Sequence, residues 1–447
     1  MSFRDPAGFV SDSGQEIRRH LTPDGARVMT ALRQSGVLEP LMREGLVIQT
    51  EWLSEHELSH RRIAFPSYPF EWAPEMLHAA ASLTLDVAER IGPAGWELKD
   101  ASPFNVLFDG SRPVFVDVGS LQPREPGATL WLPFAQFVRT FILPLRLNAS
   151  HGLSLRRAFE GAREGVSPEE AARMLSPRQR WLSGYLTLAT IPALLGGKAP
   201  AQRGAPTRAS DPERAAHVRR GLMRHLRSAV HSAAPSAARR SNWTGYTSQG
   251  PHTAAYHEQR RALVVELLGA APRRVLDVGC NDAHVSLHLA SLGHSVVAID
   301  RDETVIGAAY REAARVGADV LPLVLDFAAP PGGTGWRNAE TIAFLDRARG
   351  HFDAVLLLAV MHHLMVGAGI PLASLLAQVA EVTSHAAVIE FIPNDDNQFV
   401  EVARGRDALY SSYSAEEFER VATQFFRIER RAPLDNTGRV LYLLIKS

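Results

Sequence analysis

Between residues 274 and 300 apolar and polar positions alternate in blocks. Arg274-Val275-Leu276 runs into Asp277 and Gly279, and Ser295–Asp300 (SVVAID) ends on an acid. A short apolar run closed by turn residues reads as a buried strand, and the polar stretch opening into helical spacing reads as a loop entering a helix. The alternation continues down the chain. Glu303–Val316 has helical spacing, Val320–Leu325 reads as a third strand ending at Asp326, and a proline-glycine insertion follows from Pro330 to about Gly335, with a helix near Ala339–Arg347. Ala354–Leu358 and Ala386–Phe391 read as the fourth and fifth strands, Pro371–Thr383 and Ser414–Phe425 as helices, and Arg439–Ile445 as a final strand. Strands alternating with helices predict an α/β domain built on a doubly wound, mainly parallel sheet.

The first half is patterned differently. Gly8-Phe9-Val10, a turn at Asp12-Ser13-Gly14 and Glu16–His20 predict a hairpin, and Thr22–Ser35 predicts a helix capped by Thr22 with Pro23 in its first turn. Leu46–Trp52 reads as a strand and Pro74–Ile91 as an amphipathic helix. From Leu130 to Leu195 the pattern is helical, and Trp131, Phe134, Phe137 and Phe141 recur at the spacing of one helix face, with Trp181, Tyr185 and Leu186 further on. That spacing predicts core packing of a helical subdomain. Gly196–Arg240 is rich in Ala, Pro, Ser and Arg and reads as a basic linker holding one short solvated helix around Pro212–Val230. The aromatic stretch Ser241–Tyr256 leads into a helix over Tyr256–Leu268 and reads either as a lid or as an anchor to the next domain. Three segments result: 1–195, a linker over 196–240, and 241–447.

Composition narrows the function. With 447 residues, 46% of them hydrophobic, the chain is long enough for two or three globular domains. Its 48 basic and 48 acidic side chains cancel, so no overall field draws it to nucleic acid or to an anionic membrane. The single cysteine, Cys280, leaves no internal disulfide and no cysteine metal cluster, and reads as a small residue in a tight loop. The opening residues lack the apolar core of a signal peptide, and no apolar run reaches the length of a membrane span. A reducing, cytoplasmic location is the expectation.

A glycine turn after one strand and an acid at the end of the next is the arrangement that seats an adenosine moiety, with the acid placed for ribose hydroxyls. With Asp326 after the third strand and Ala359-Val360-Met361-His362-His363-Leu364 after the fourth, residues 256–447 resemble the class I S-adenosylmethionine-dependent methyltransferases. The resemblance implies a Rossmann-like seven-stranded sheet with S-adenosylmethionine as cofactor. It implies Asp277 and Gly279 at the methionine end, Asp300 at the ribose hydroxyls, Asp326 with Phe327 by the adenine, and Cys280, Asn281, Arg301 and Ala359 as further cofactor-binding residues. Asn281 and Ala283 stand where the family often has further glycines. His362 and His363 follow the fourth strand, beside the expected methyl group, and either is a candidate general base because an imidazole titrates near neutral pH. Glu390, Asn394, Asp395 and Asp396 read either as acceptor-binding groups or as a solvated loop, and Asp353, at the opposite strand end, as structural.

A second motif lies at 96–121 (WELKDASPFNVLFDGSRPVFVDVGSL). Asp100, Asn105 five residues later, and Asp117 after a hairpin turning at Asp109-Gly110 resemble the catalytic loop and metal-binding segment of the protein-kinase and aminoglycoside-phosphotransferase superfamily. No lysine precedes Lys99 and no glycine-rich phosphate loop occurs before it. The expectation is therefore an α+β kinase-like and helical N-terminal region without phosphotransfer, and without a bound metal. The alternative is a magnesium- and ATP-binding module using Asp100, Asn105 and Asp117. Both halves together, through FRDPAGFV, SYPFEW, SNWTGY, LAVMHHL and VIEFIPNDDNQF, resemble the bacterial methyltransferases related to the nodulation protein NoeA. The expected reaction is O-methylation of a small-molecule or carbohydrate-containing acceptor, with N-methylation also open.

Overall fold

The computed structural model describes residues 5–12, 14, 16–196, 211–241, 243–244 and 253–447. Parts of the expected features lie outside these residues: Ser13 of the first turn, 197–210 of the linker, and 242 and 245–252 of the aromatic lead-in. The chain divides into two units, Met1–Ala237 with Thr334–Thr341, and Ala238–Gly333 with Ile342–Ser447.

In the first unit β1 (Gly8–Asp12) and β2 (Ile17–Leu21) form the expected antiparallel hairpin. β3 (Thr50–Trp52) and β4 (Glu57–His60) extend it into a sheet of order β1-β2-β4-β3. β4, with only Leu58 as a strong apolar residue, escaped the hydrophobic pattern. The helix Pro23–Ser35 is capped as its sequence predicts: the Thr22 hydroxyl accepts the Gly25 N–H and Gly36 closes the end in a left-handed conformation. The helix Pro74–Ile91 buries an apolar face that includes Leu77, Ala81, Leu85 and Ala88. Beyond it β5 (Trp96–Leu98) pairs with β8 (Leu121–Pro123), and β6 (Val106–Asp109) pairs with β7 (Arg112–Phe115) in a hairpin.

Trp131, Phe137 and Phe141 are core residues as expected, but Trp181 is 71% exposed and packs no core. The basic helix is longer than its sequence pattern, Pro212–Ser232, and keeps one solvated face on which Arg214, Arg220 and Arg224 are exposed. Arg219 is buried and pairs with Glu97 at 3.0 Å, and Arg227 reaches Asp86 and Glu89 at 2.7 Å each. Glu97, distant in sequence, draws Arg219 inward, whereas the Arg227 pairs lie at the surface.

The second unit holds a sheet of seven strands: β9 (Arg274–Val278), β10 (Ser295–Asp300), β11 (Val320–Val324), β12 (Phe352–Leu357), β13 (Thr383–Phe391), β14 (Phe426–Pro433) and β15 (Val440–Lys446). Their order is β11-β10-β9-β12-β13-β15-β14. β9 to β13 pair in parallel, whereas β15 lies antiparallel to β13 and β14. The order reverses between β9 and β12, so the C-terminal ends of these strands diverge there and leave a crevice. β9 and β12 are apolar on both faces because helices cover the sheet on either side. β14 (FRIERRAP) was not legible as a strand: it is an edge strand whose charged side chains face water. The expected helix near 339–347 is shorter, Phe344–Ala348, after a turn at Trp336–Asn338.

Candidate active site

The crevice at the strand reversal opens into a solvent-open cleft, about 1070 Å3 counting the space in its mouth. It is lined by Asp277, Gly279, Cys280, Asn281, Asp300, Arg301, Asp326, Phe327 and Ala359, so every residue expected at the cofactor is brought to one place. Each is held by local structure. Gly279 sits at φ +73°, and a Cβ there would lie 2.7 Å from the Val360 side chain; only glycine lets the two strand ends approach this closely. The Asp300 carboxylate accepts the Asn281 N–H at 3.1 Å and the Asp302 N–H at 3.0 Å, which fixes it at the cleft wall. Burial nevertheless raises its pKa above the usual carboxylate value. Asp277, also raised by burial, accepts the Ser286 hydroxyl at 2.6 Å. Asp326 accepts the Ala328 N–H at 2.9 Å, and Gln378 bonds the Phe327 carbonyl at 2.9 Å. The Cys280 thiol is buried and pushed well up by that burial, which leaves it protonated and unreactive.

Asn281, Ala283 and Ala359 all have positive φ, at 53°, 58° and 55°. The two departures from the glycine pattern therefore keep the backbone that glycine would adopt. Asparagine tolerates it at little cost; alanine does not.

The two histidines separate. His363 lines the cleft, with its ring edge-to-face with Trp243 at 5.3 Å between centroids. Burial, aided by Arg301, holds its pKa down at about 4. His362 is 2% exposed and does not line the cleft. It packs against His363 at 4.1 Å and stacks on Phe399 at 6.4 Å, and burial takes its pKa to about 3. A turn of π-type helix begins at His363 and runs to Gly367.

The acids after β13 do not form an open acceptor site. Glu390 and Arg439, both fully buried, meet at 3.1 Å. Tyr256 donates to Glu390, and Arg260 approaches its other oxygen at 3.4 Å. Arg439 also forks onto Asp396 through Nε and Nη2 at 2.9 Å each, and Asp396 caps the helix Asn397–Ala403. Asn394 bonds the Tyr410 carbonyl at 2.9 Å. Asp353 is structural as expected: it holds Arg274 at 2.8 Å, which lowers its pKa to about 2. Sequence reading did not assign Arg260 or His284 to the cleft, though both line it. Arg260 lies on the helix Ala254–Leu268, whose spacing marks it as an ordinary helical residue.

In the first unit the Asp100, Asn105 and Asp117 motif folds around main chain and an arginine. The Asn105 amide donates to the Asp100 carbonyl at 3.3 Å, and Arg19 donates to Asp117 at 2.6 Å. Burial, and then the charge of Asp117, raises the Asp100 pKa. Lys99 is engaged by Asp5 at 2.9 Å. Among the described residues no group of three or more His, Cys, Asp or Glu is placed to hold a metal ion.

A methyltransferase-domain family matches residues 252–425. The nodulation protein NoeA of Rhizobium meliloti (strain 1021) is 30% identical over 461 aligned positions, spanning 100% of this chain and 95% of NoeA. The chain belongs to the NoeA family of methyltransferases. It is an S-adenosylmethionine-dependent methyltransferase, and the phosphotransferase alternative is not favoured. Solved structures similar to this methyltransferase include magnesium protoporphyrin IX methyltransferase (ChlM) from Synechocystis PCC 6803 with bound SAH, 18% identical over 43% of this chain and 84% of that one, TM-score 0.32. The bifunctional kinase-methyltransferase WbdD is 23% identical over 42% of this chain and 37% of its own, TM-score 0.29. No helix among the described residues of the methyltransferase is long and apolar enough to cross a membrane.

Proposed function

We propose that this methyltransferase acts on a hydroxyl group of a small-molecule or carbohydrate-containing acceptor, with His363 taking the hydroxyl proton. The observation that carries this reading is the place of His363: its ring lines the same cleft as the glycine loop and is uncharged at neutral pH. An uncharged imidazole has a ring nitrogen free to take a proton; a charged one has none.

The cleft fits the methyl donor by the chemistry of its walls. Asp300, fixed by two backbone N–H groups, offers a carboxylate to a pair of ribose hydroxyls. Asp326 and Phe327 supply a polar edge and an apolar face for a purine, and Gly279 leaves room for close backbone approach. When bound, S-adenosylmethionine would supply a methyl carbon whose bond to the sulfonium breaks as the acceptor oxygen takes it, the sulfur keeping the electron pair as a neutral thioether. His363 orients the acceptor hydroxyl and holds its proton on a ring nitrogen as the new C–O bond forms. Because the proton leaves during bond formation, the imidazole need not ionise the free hydroxyl beforehand.

The test is methyl transfer to a panel of hydroxylated metabolites and glycans by wild type and His363→Gln. The expected loss in kcat is about 10²-fold or more, in the range of a removed general base, with donor affinity unchanged. Transfer to amines alone, or a variant with full kcat, would overturn the reading.

A further inference from the structure

We propose that Asn281 and Trp243 form a positioning pair that ties the donor-binding loop to His363. The proposal takes its functional meaning from the reading of His363 as proton acceptor, but its structural content stands apart from that reading.

Asn281 occupies a left-handed position, φ 53°, where glycine would suffice for the backbone. Its side chain does what glycine cannot. The amide Nδ2 donates to the Trp243 carbonyl at 3.2 Å, and Oδ1 accepts the Asp282 N–H at 2.7 Å. The Asn281 main-chain N–H meanwhile donates to Asp300. One residue thus grips the ribose-side acid through its backbone and the Trp243 segment through its side chain.

Trp243 completes the link. Its ring meets the His363 ring at an interplanar angle of 86°, an edge-to-face contact that restricts the imidazole's rotation and covers part of its surface. Both rings line the cleft, so without the indole the imidazole would meet water there. The other groups around His363 are His362, Arg301 after β10, and Glu401 on the helix Asn397–Ala403. Arg301 opposes protonation and Glu401 favours it, so their effects run against each other. Burial is the larger influence.

The test uses the full chain with Asn281→Gly, Trp243→Phe and Trp243→Ala. Glycine keeps the loop backbone and deletes only the amide, and phenylalanine keeps a ring. The primary readout is the C2–H NMR titration of His363, assigned by comparison with His363→Gln. In Trp243→Ala the His363 pKa is expected to climb from about 4 toward the ordinary 6.5, with a smaller rise in Asn281→Gly and little change in Trp243→Phe. Acceptor kcat/KM is expected to fall by up to about 10²-fold through misplacement of the ring, by more than any loss of donor affinity. An unmoved titration in Trp243→Ala, or donor affinity falling in parallel with acceptor kcat/KM, would overturn the pair. If the titration moves as expected but His363→Gln retains full methyl transfer, the positioning stands and only the assignment of the base fails.

Discussion

The guanidinium of Arg19 lies 2.6 Å from the carboxylate of Asp117, a residue 98 positions further along the chain. Arg19 is 4% exposed, and its Nη1 also comes within 3.9 Å of Asp5. A Cβ on Gly119 would lie 2.3 Å from that Nη1, so the glycine after Asp117 makes room for the arginine. Arg19 is the cation that faces Asp117.

Arg19→Ala leaves a part-buried carboxylate without its partner beside the already raised Asp100. The expected cost is about 3 kcal/mol in urea unfolding, the scale for breaking rather than replacing a buried pair. Arg19→Met combined with Asp117→Leu should cost clearly less. Calorimetry of magnesium-ATP with the wild type should give no binding heat.

Ala359 holds φ 55° at the cleft, half-buried, with a methyl group that opposes this conformation. Ala359→Gly is expected to stabilise the second unit by about 0.5–1 kcal/mol, because the relief of left-handed strain exceeds the added chain entropy. The same change at Ala354, inside β12, should destabilise. At Ala283, φ 58° but fully buried, loss of the methyl packing offsets the relief, and the change should be close to neutral. Thermal melts of the three variants check the ranking.

Much of the second unit was legible because a parallel sheet writes itself plainly. Its central strands are apolar runs, and their C-terminal ends carry Asp277, Asp300 and Asp326. What escaped depended on partners far away in sequence or on backbone geometry. β14 is charged because it is an edge. Glu390 looked like a loop acid because Tyr256 and Arg439, which bury it, lie 134 and 49 residues away. Asn281 and Ala283 looked like departures from a glycine loop, yet their φ values preserve it. His362 and His363 are adjacent in sequence, and no local signal marks which of them faces the cleft. In the first unit the kinase-like spacing of Asp100, Asn105 and Asp117 was legible, but Arg19 carries no local mark as their counter-ion.

Burial lowers the pKa of His60 to about 3, of His362 to about 3 and of His363 to about 4, against 6.5 when free. All three are uncharged in the folded chain at neutral pH and take up protons more readily once unfolded. Their contribution to stability is therefore complete above about pH 6.5 and is lost as pH falls toward the folded values. Each adds up to about 1.4 kcal/mol per pH unit in that window. Urea midpoints between pH 7.5 and 5 should fall, and His362→Phe should reduce the slope by close to one proton.

Arg439 binds Glu390, Asp396, Gln398 and Tyr256 from a fully buried position. Arg439→Ala strands two carboxylates and should cost about 3–5 kcal/mol, enough to lower the yield of folded protein. Because Asp396 caps the helix that carries Phe399 and Glu401, surviving Arg439→Lys protein should lose acceptor affinity more than donor affinity. Separate Kd measurements for the two ligands check this.

The most direct test of the account is calorimetric titration of S-adenosylmethionine into the full chain and its Asp300→Asn variant. The account predicts one site in the wild type and an affinity lowered by about 10-fold or more in the variant, since a charged carboxylate acceptor contributes about 1.5–3 kcal/mol. Equal affinity in the two proteins, or no binding in either, would contradict it.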